Sequence, residues 1–463
     1  MIELVIAFRN IFRNRRRTVI TMLALLVGTA ALLVFSGFIS SIQFGMQTNI
    51  VRQQGHLHLY PKGFLEFGAS RPGEMYIENY DRLIEKIRAS EIAGDVRVIT
   101  PMLDIAGIAG NYDEDTSKTF VGVGLIPSDF NKMLNWNGYN LATSEAPISL
   151  GDQVVDHALI GQGMARMLSL CGKLKLPDCA DRPSVSRAPL SAPDKDVAGL
   201  QDSIAQELAD SKPKDAAMPR IDLLAASANG APNIVSVYVE GARQQAQRQI
   251  DDSLVLMHLA QAQKLAHSGA KRVTRIVVQL HDGDRLGFVQ ERLNRLVTEE
   301  NLNLEVRSFG EFNPLFDRVL RMFRAIFAFV FAVVALVILF LVVNTMTMSV
   351  MERIREIGTI RALGLRRSGV RRQFLLEGAL IGIGGATLGF ATAAGLVYLL
   401  NWAGLQWTPP SNAGSQALII LLFHNPPFVA ACSIAMIVIA TLSALIPANR
   451  AARQQIVEAI RHV

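Results

Sequence analysis

From Gly378 to Asn449 the chain contains no Asp, Glu, Lys or Arg. A water-soluble chain returns charges to its surface every few residues, so a stretch this long without one belongs in or against lipid. Two further windows, 18–51 and 325–351, also lack formal charge. Each is long enough to cross the roughly 30 Å hydrocarbon core at about 1.5 Å per helical residue. The sequence predicts an integral membrane protein.

The long window divides internally. Residues 375–400 are apolar and rich in small side chains, and 428–448 are apolar again. Between them Trp402, Trp407, Pro409, Pro410, Ser411, Asn412, Pro426 and Pro427 read as an interfacial loop with aromatic anchors. The expected plan is a cytoplasmic segment at 1–17, a first span at 18–42, an exported region at 43–322 and a second span at 323–350. A charged connection at 351–374, a third span at 375–400, a loop at 401–427, a fourth span at 428–448 and a tail at 449–463 complete it. The fold class is an α-helical membrane protein with four transmembrane helices and a large extracytoplasmic α+β domain inserted between the first two.

Orientation follows from basic residues beside the spans. Arg9, Arg13, Arg15, Arg16 and Arg17 precede the first span, Arg450, Arg453 and Arg461 follow the fourth, and Arg353, Arg355, Arg361, Arg366, Arg367, Arg371 and Arg372 lie between the second and third. The positive-inside bias puts both termini and that connection in the cytoplasm, and the exported region outside it. These arginines also account for the net charge of +6. They are read as topology determinants against anionic lipid, not as a nucleic-acid surface. The first apolar run exceeds the 7–15 residues of a signal-peptide core, so it is read as a retained anchor.

In the exported region SSIQFGMQTNIVRQQ prolongs the first span at helical spacing before GHLHLY turns to strand. FNPLFDRVLRMFRAIF leads into the second span with Phe312, Phe316 and Phe323 on one stripe. Together with Phe44 and Met46 these rings are the candidate lining of an apolar substrate cavity at the outer leaflet. IENYDRLIEKIRAS, DVRVITPML, TFVGVGL, RIVVQL, GFVQERLNRLVTEE and LNLEVRSF alternate helix-like and strand-like patterns, the basis of the α+β expectation. Residues of about 170–230 are rich in Pro, Asp, Ser, Lys and Ala and read as an insertion or mobile loop.

Cys171 and Cys179 flank GKLKLPD in the exported region and can close a short disulfide loop, whereas Cys432 falls in the fourth span. His56 and His58, two apart, are read as ordinary strand residues rather than metal ligands, and no metal site is expected. No phosphate-binding loop G-x-x-x-x-G-K-[ST] and no G-x-G-x-x-G occur. The chain thus carries no energy source of its own, no catalytic residue set is expected, and apart from Arg324 and Glu377 near their ends the spans hold no acidic or basic residue for an ion relay.

The segment from Glu352 to Gly364, ERIREIGTIRALG, closely resembles the signature of the FtsX-like permease family. These are the membrane subunits of type VII ABC transporters, which include MacB, LolC, LolE and FtsX. The resemblance extends to AFRNIFRNRRRTVITMLALLVG, GHLHLYPKG, the glycine-rich third span and IPANRAARQQIVEAIR, where Ile456 replaces the family's usual proline. It implies a multi-pass protein of the bacterial inner membrane that forms a homodimer or heterodimer with a second permease copy. A cytoplasmic ABC ATPase dimer would hold ATP and Mg, and the chain itself would bind no cofactor. Glu352, Arg353, Arg355, Glu356, Ile357, Gly358, Arg361, Ala362, Leu363 and Gly364 would form the ATPase-coupling helix. ATP-driven closure would reach the exported domain by mechanotransmission. The GHLHLYPKG start is most similar to the lipoprotein-releasing LolC and LolE type, so lipoproteins or other amphiphiles are the expected cargo, with a periplasmic adaptor a further expected partner. The alternative is a non-transporting, FtsX-like regulator of a cell-wall hydrolase.

Overall fold

In hydrocarbon every backbone N–H and C=O must find a partner within its own segment, so the charge-free windows fold as long helices. The computed structural model describes residues 2–13, 15–68, 75–141, 145–177, 179–181, 218–227, 230–245, 247–407 and 416–455. Among these residues four helices are long and apolar enough to cross a membrane: Arg15–Gln54, Pro314–Glu352, Arg367–Trp402 and Pro426–Ser443. The chain divides into two units, 1–46 with 315–407 and 417–463, and 47–314 with 408–416.

Within the membrane unit the third helix is the packing hub. Gly378 and Gly385 let the backbones close up, since a Cβ on Gly378 would come 2.7 Å from Cβ of Ala444, and one on Gly385 would come 2.4 Å from Cβ of Leu25. Such small-residue seams replace the hydrophobic effect as the source of helix association in lipid. Here they join the third helix to the fourth and to the first inside one chain. Thr21 and Thr345 add a 2.8 Å hydroxyl contact between the first and second helices.

Among the described residues the extracytoplasmic unit is built on a sheet of nine strands: β1 (Leu57–Pro61), β2 (Val96–Asn111), β3 (Thr116–Leu125), β4 (His157–Gly161), β5 (Arg220–Ala226), β6 (Pro232–Arg243), β7 (Leu254–His258), β8 (Arg275–Leu280) and β9 (Leu304–Ser308). Their order is β9-β1-β8-β2-β3-β7-β4-β6-β5, and β5 pairs back onto β2. The long strand β2 serves two lobes. Its first half pairs with β8, Thr100 opposite Val277, and its second half with β3, Ile105 opposite Gly122. The strands from β2 round to β5 therefore close into a barrel, which removes their edges. Helices Tyr80–Arg88 and Leu286–Glu299 bury Ile84, Ile87, Val289 and Leu293 in the core.

One expectation needs correction. The stretch of about 170–230 reads from its composition as an insertion or mobile loop, yet within it RIDLLAA is strand β5, with Ile221, Leu223 and Ala225 in the core. Its alternation is plain over seven residues but is swamped by the polar composition preceding it. Residues 182–217, together with Pro409–Asn412, Ile456 and Arg461, lie outside the described residues.

Candidate functional site

The connection between the second and third membrane helices begins with a sharp break. The second helix ends at Glu352, Arg353 takes φ −112° and ψ 14°, and Ile354–Ala362 forms a separate short helix. Gly364, at φ +102°, closes it, with Leu365 N–H donating to the Ile360 carbonyl at 3.2 Å and Gly364 N–H to that of Arg361 at 3.1 Å. This doubled turn is the ending that a left-handed glycine permits. Ser368 does not cap the next helix. Arg366 already has the extended N-cap backbone, and Ser368 sits one residue inside the first turn.

Ile354, Ile357, Ile360 and Leu363 recur every three residues, so on a helix of 3.6 residues per turn they wind around the cylinder. Ile354, Ile357 and Gly358 are buried, whereas Ile360 is 44% and Leu363 84% exposed. Ile357 joins a cluster with Val370, Phe374, Ala444 and Ala448. The expected coupling residues therefore split. Arg353, Ile357 and Gly358 face the bundle, Arg361 is half-buried and hydrogen-bonded to the Gln454 carbonyl, and Glu352, Arg355, Glu356, Ala362, Leu363 and Gly364 are exposed.

Arg353 is the anchor. Its Nη1 donates to Glu377 Oε1 at 3.0 Å and its Nη2 to the Asn10 carbonyl at 3.0 Å, while Asn10 Nδ2 donates to the same Glu377 oxygen at 2.7 Å. Both charged side chains are almost fully buried. Removing one partner of such a pair leaves an uncompensated buried charge, at a cost of about 3–5 kcal/mol. Glu377 therefore holds the connection in place. Two outer ion pairs flank it, Arg17 to Glu352 at 2.5 Å and Arg13 to Glu356 at 2.6 Å. Asn10, Arg13 and Arg17 were not among the expected site residues. A signal was present, however: two arginines four apart match two glutamates four apart.

The candidate cavity residues fall in both units, Phe312 in the extracytoplasmic one and Phe44, Met46, Phe316 and Phe323 in the membrane one. Phe312 stacks on His58 with ring centroids 3.8 Å apart inside the extracytoplasmic unit. Phe316 is buried, Phe44 lies 5.3 Å from the His424 ring, and Phe323 meets the Phe38 ring edge-on at 6.3 Å. Met46 is half-buried. The helical stripe that grouped them is broken at Asn313, which leaves the helical region at φ −121° and ψ 74°. The membrane unit has an apolar cleft of about 500 Å³ between its first and third helices, lined by residues including Leu26, Ala30, Phe35, Phe38, Leu396 and Ile420.

His56 and His58 are both buried, each with its own partners. Nδ1 of His56 accepts Leu280 N–H at 3.1 Å, and Nδ1 of His58 lies 2.7 Å from the Tyr60 hydroxyl. Burial lowers the pKa of His56 to about 3 and holds that of His58 well below 6.5. Cys171 and Cys179 are bridged, with Cα atoms 5.5 Å apart, and Asp181 accepts Cys171 N–H at 2.7 Å.

Four apolar helices with an α+β, barrel-containing domain inserted after the first define a multi-pass inner-membrane protein of the type VII permease architecture. Residues 18–174 match the MacB-like periplasmic core domain and residues 328–456 the FtsX-like permease C-terminal domain. Over those two stretches the chain is similar to the FtsX/MacB-type family of ABC transporter permeases. It is 35% identical over 121 residues to ABC transporter permease YtrF of Bacillus subtilis (strain 168), covering 26% of this chain and 28% of that protein. It is 29% identical over 195 residues to probable export ATP-binding/permease protein MacB of Pseudomonas entomophila (strain L48), covering 42% and 27%. The chain thus spans under a third of the length of these curated relatives. The crystal structure of the periplasmic region of MacB from Actinobacillus actinomycetemcomitans is similar at 11% identity and TM-score 0.32, covering 58% of this chain and 95% of that one. No conclusion rests on a likeness at that score.

Proposed function

We propose that this chain is the membrane subunit of an ABC transporter. A separate cytoplasmic ATPase would push on the helix Ile354–Ala362, and the long first and second helices would carry the motion to the extracytoplasmic domain. One observation carries the reading: this helix is fixed from inside by Arg353, Ile357 and Gly358 and presents Ile360 and Leu363 outward. An apolar centre edged by charge, here the exposed Arg355, Arg366 and Arg367, is the composition of a protein-binding patch. A helix held only by its own chain's polar groups has no such need for a bare leucine.

In this reading both termini are cytoplasmic, ATP and Mg belong to the ATPase dimer, and a second permease copy completes the complex. Cargo is a lipoprotein or another amphiphile, taken from the outer leaflet or the periplasm. The apolar cleft supports that choice, since its volume lies within the range of small-molecule sites and each acyl CH₂ buried there contributes about 0.8 kcal/mol.

The test is Leu363→Glu in the membrane complex. The ATPase should fail to co-purify or should hydrolyse without transport, while the permease keeps its melting temperature. Undiminished co-purification and undiminished transport would remove the coupling role from this helix.

A further inference from the structure

We infer that the junction of the first helix with strands β1 and β8 is a rigid pin joint, with Gln279 as its pin. The inference rests on the force-transmitting reading above and assigns the residues through which the motion enters the sheet.

Gln279 lies on β8 and is fully buried. Its Nε2 donates to two carbonyls from different elements: Val51 in the last turns of the helix Arg15–Gln54, at 3.0 Å, and Met133 in the helix Pro127–Leu134, at 3.1 Å. Beside it Arg52 Nε donates to the Trp136 carbonyl at 2.7 Å. The chain then turns directly into the sheet. Gly55 takes φ +77°, His56 N–H donates to the Val278 carbonyl at 2.9 Å, and a Cβ on Gly55 would come 2.4 Å from Val277 Cγ1. The end of the helix is thus tied to β8 by a side chain, by the backbone and by close contact within five residues.

Phe309 N–H donates to the His56 carbonyl at 3.0 Å, and the short helix Phe309–Phe312 stops at Asn313 before Pro314 opens the next helix. Stability alone does not account for Gln279. Its Oε1 is buried with no hydrogen-bond partner among the described residues, and an apolar side chain of similar size would avoid that penalty. A buried polar group retained at such a cost is one that fixes a particular arrangement.

The experiment uses the full permease with its ATPase in a Cys432→Ser background. Spin labels are placed at Gln43, below the joint, or at Ser117, on β3 of the barrel. Distances between the copies are measured without nucleotide and after trapping with Mg-ATP and vanadate. In the wild type both sites should shift. In Gln279→Met the shift at Gln43 should persist and the shift at Ser117 should be lost, and Arg52→Met should give the same pattern in part. Equal shifts at both sites in both variants, or loss of both shifts, would overturn the pin assignment; a lowered melting temperature with both shifts intact would reduce Gln279 to a fold-stabilising residue. No shift at either site in the wild type would reject the force-transmitting reading itself.

Discussion

Arg13 and Glu356 are 343 residues apart in sequence and 2.6 Å apart in the structure. The pair sits on the surface, one turn outside the buried contact of Arg353 with Glu377, and the two should differ sharply in consequence. An exposed ion pair contributes about 0–1 kcal/mol, because water and salt screen it. Glu356→Gln should therefore leave thermal unfolding nearly unchanged. Arg353→Met strands a buried carboxylate and should cost about 3–5 kcal/mol, much of it recovered when Glu377→Met is added. Equal melting temperatures for Glu356→Gln and Arg353→Met in detergent would contradict this ranking.

The extracytoplasmic unit should lose stability in acid. His56 has a folded pKa of about 3 against an ordinary 6.5, because burial disfavours its charged form. Between those values the unfolded chain binds a proton that the folded one does not, so stability falls as pH drops, by about 1.4 kcal/mol per pH unit for this histidine. His58 is shifted in the same direction and adds to the slope. His56→Gln should flatten the dependence of melting temperature on pH between 6 and 4. An unchanged slope would mean that His56 charges without unfolding.

How far the sequence disclosed this architecture depended on how local each cause was. Charge-free windows and period-2 alternation are local, and they pointed to the long helices and to strands such as RIVVQL. The division of ERIREIGTIRALG into buried and exposed residues was half legible: three-residue spacing indicated a winding stripe, but not that Ile357 would lie inward and Leu363 outward. The burial of Arg353 was hidden because an arginine beside a span reads as a topology signal. Its partners, Asn10 and Glu377, come from a distant helix and from a helix not yet begun. Strand β5 was missed because its neighbours set the composition. The phenylalanine stripe is interrupted at Asn313, which separates Phe312 from Phe316 and Phe323 on the next helix, a break that one asparagine does not announce.

The bridge between Cys171 and Cys179 closes a loop with a sequence separation of 8. Chain-entropy reasoning gives such a loop about 2–3 kcal/mol of stabilisation. Cys171→Ser should lower the unfolding transition of the extracytoplasmic unit by that amount, and reduction of the wild type should reproduce the shift. Mass spectrometry of unreduced peptides showing both thiols free would refute the bridge.

The most direct test of the central claim is a photocrosslinker incorporated at Leu363, with a second at the buried position Val370 as control, in membranes containing the intact complex. The account predicts that the Leu363 probe captures a polypeptide whose peptides include a nucleotide-binding phosphate loop, that Mg-ATP with vanadate changes the yield, and that the Val370 probe captures no such partner. Capture from Leu363 of lipid or of this chain alone would contradict the assignment of Ile354–Ala362 as the surface that receives the ATPase.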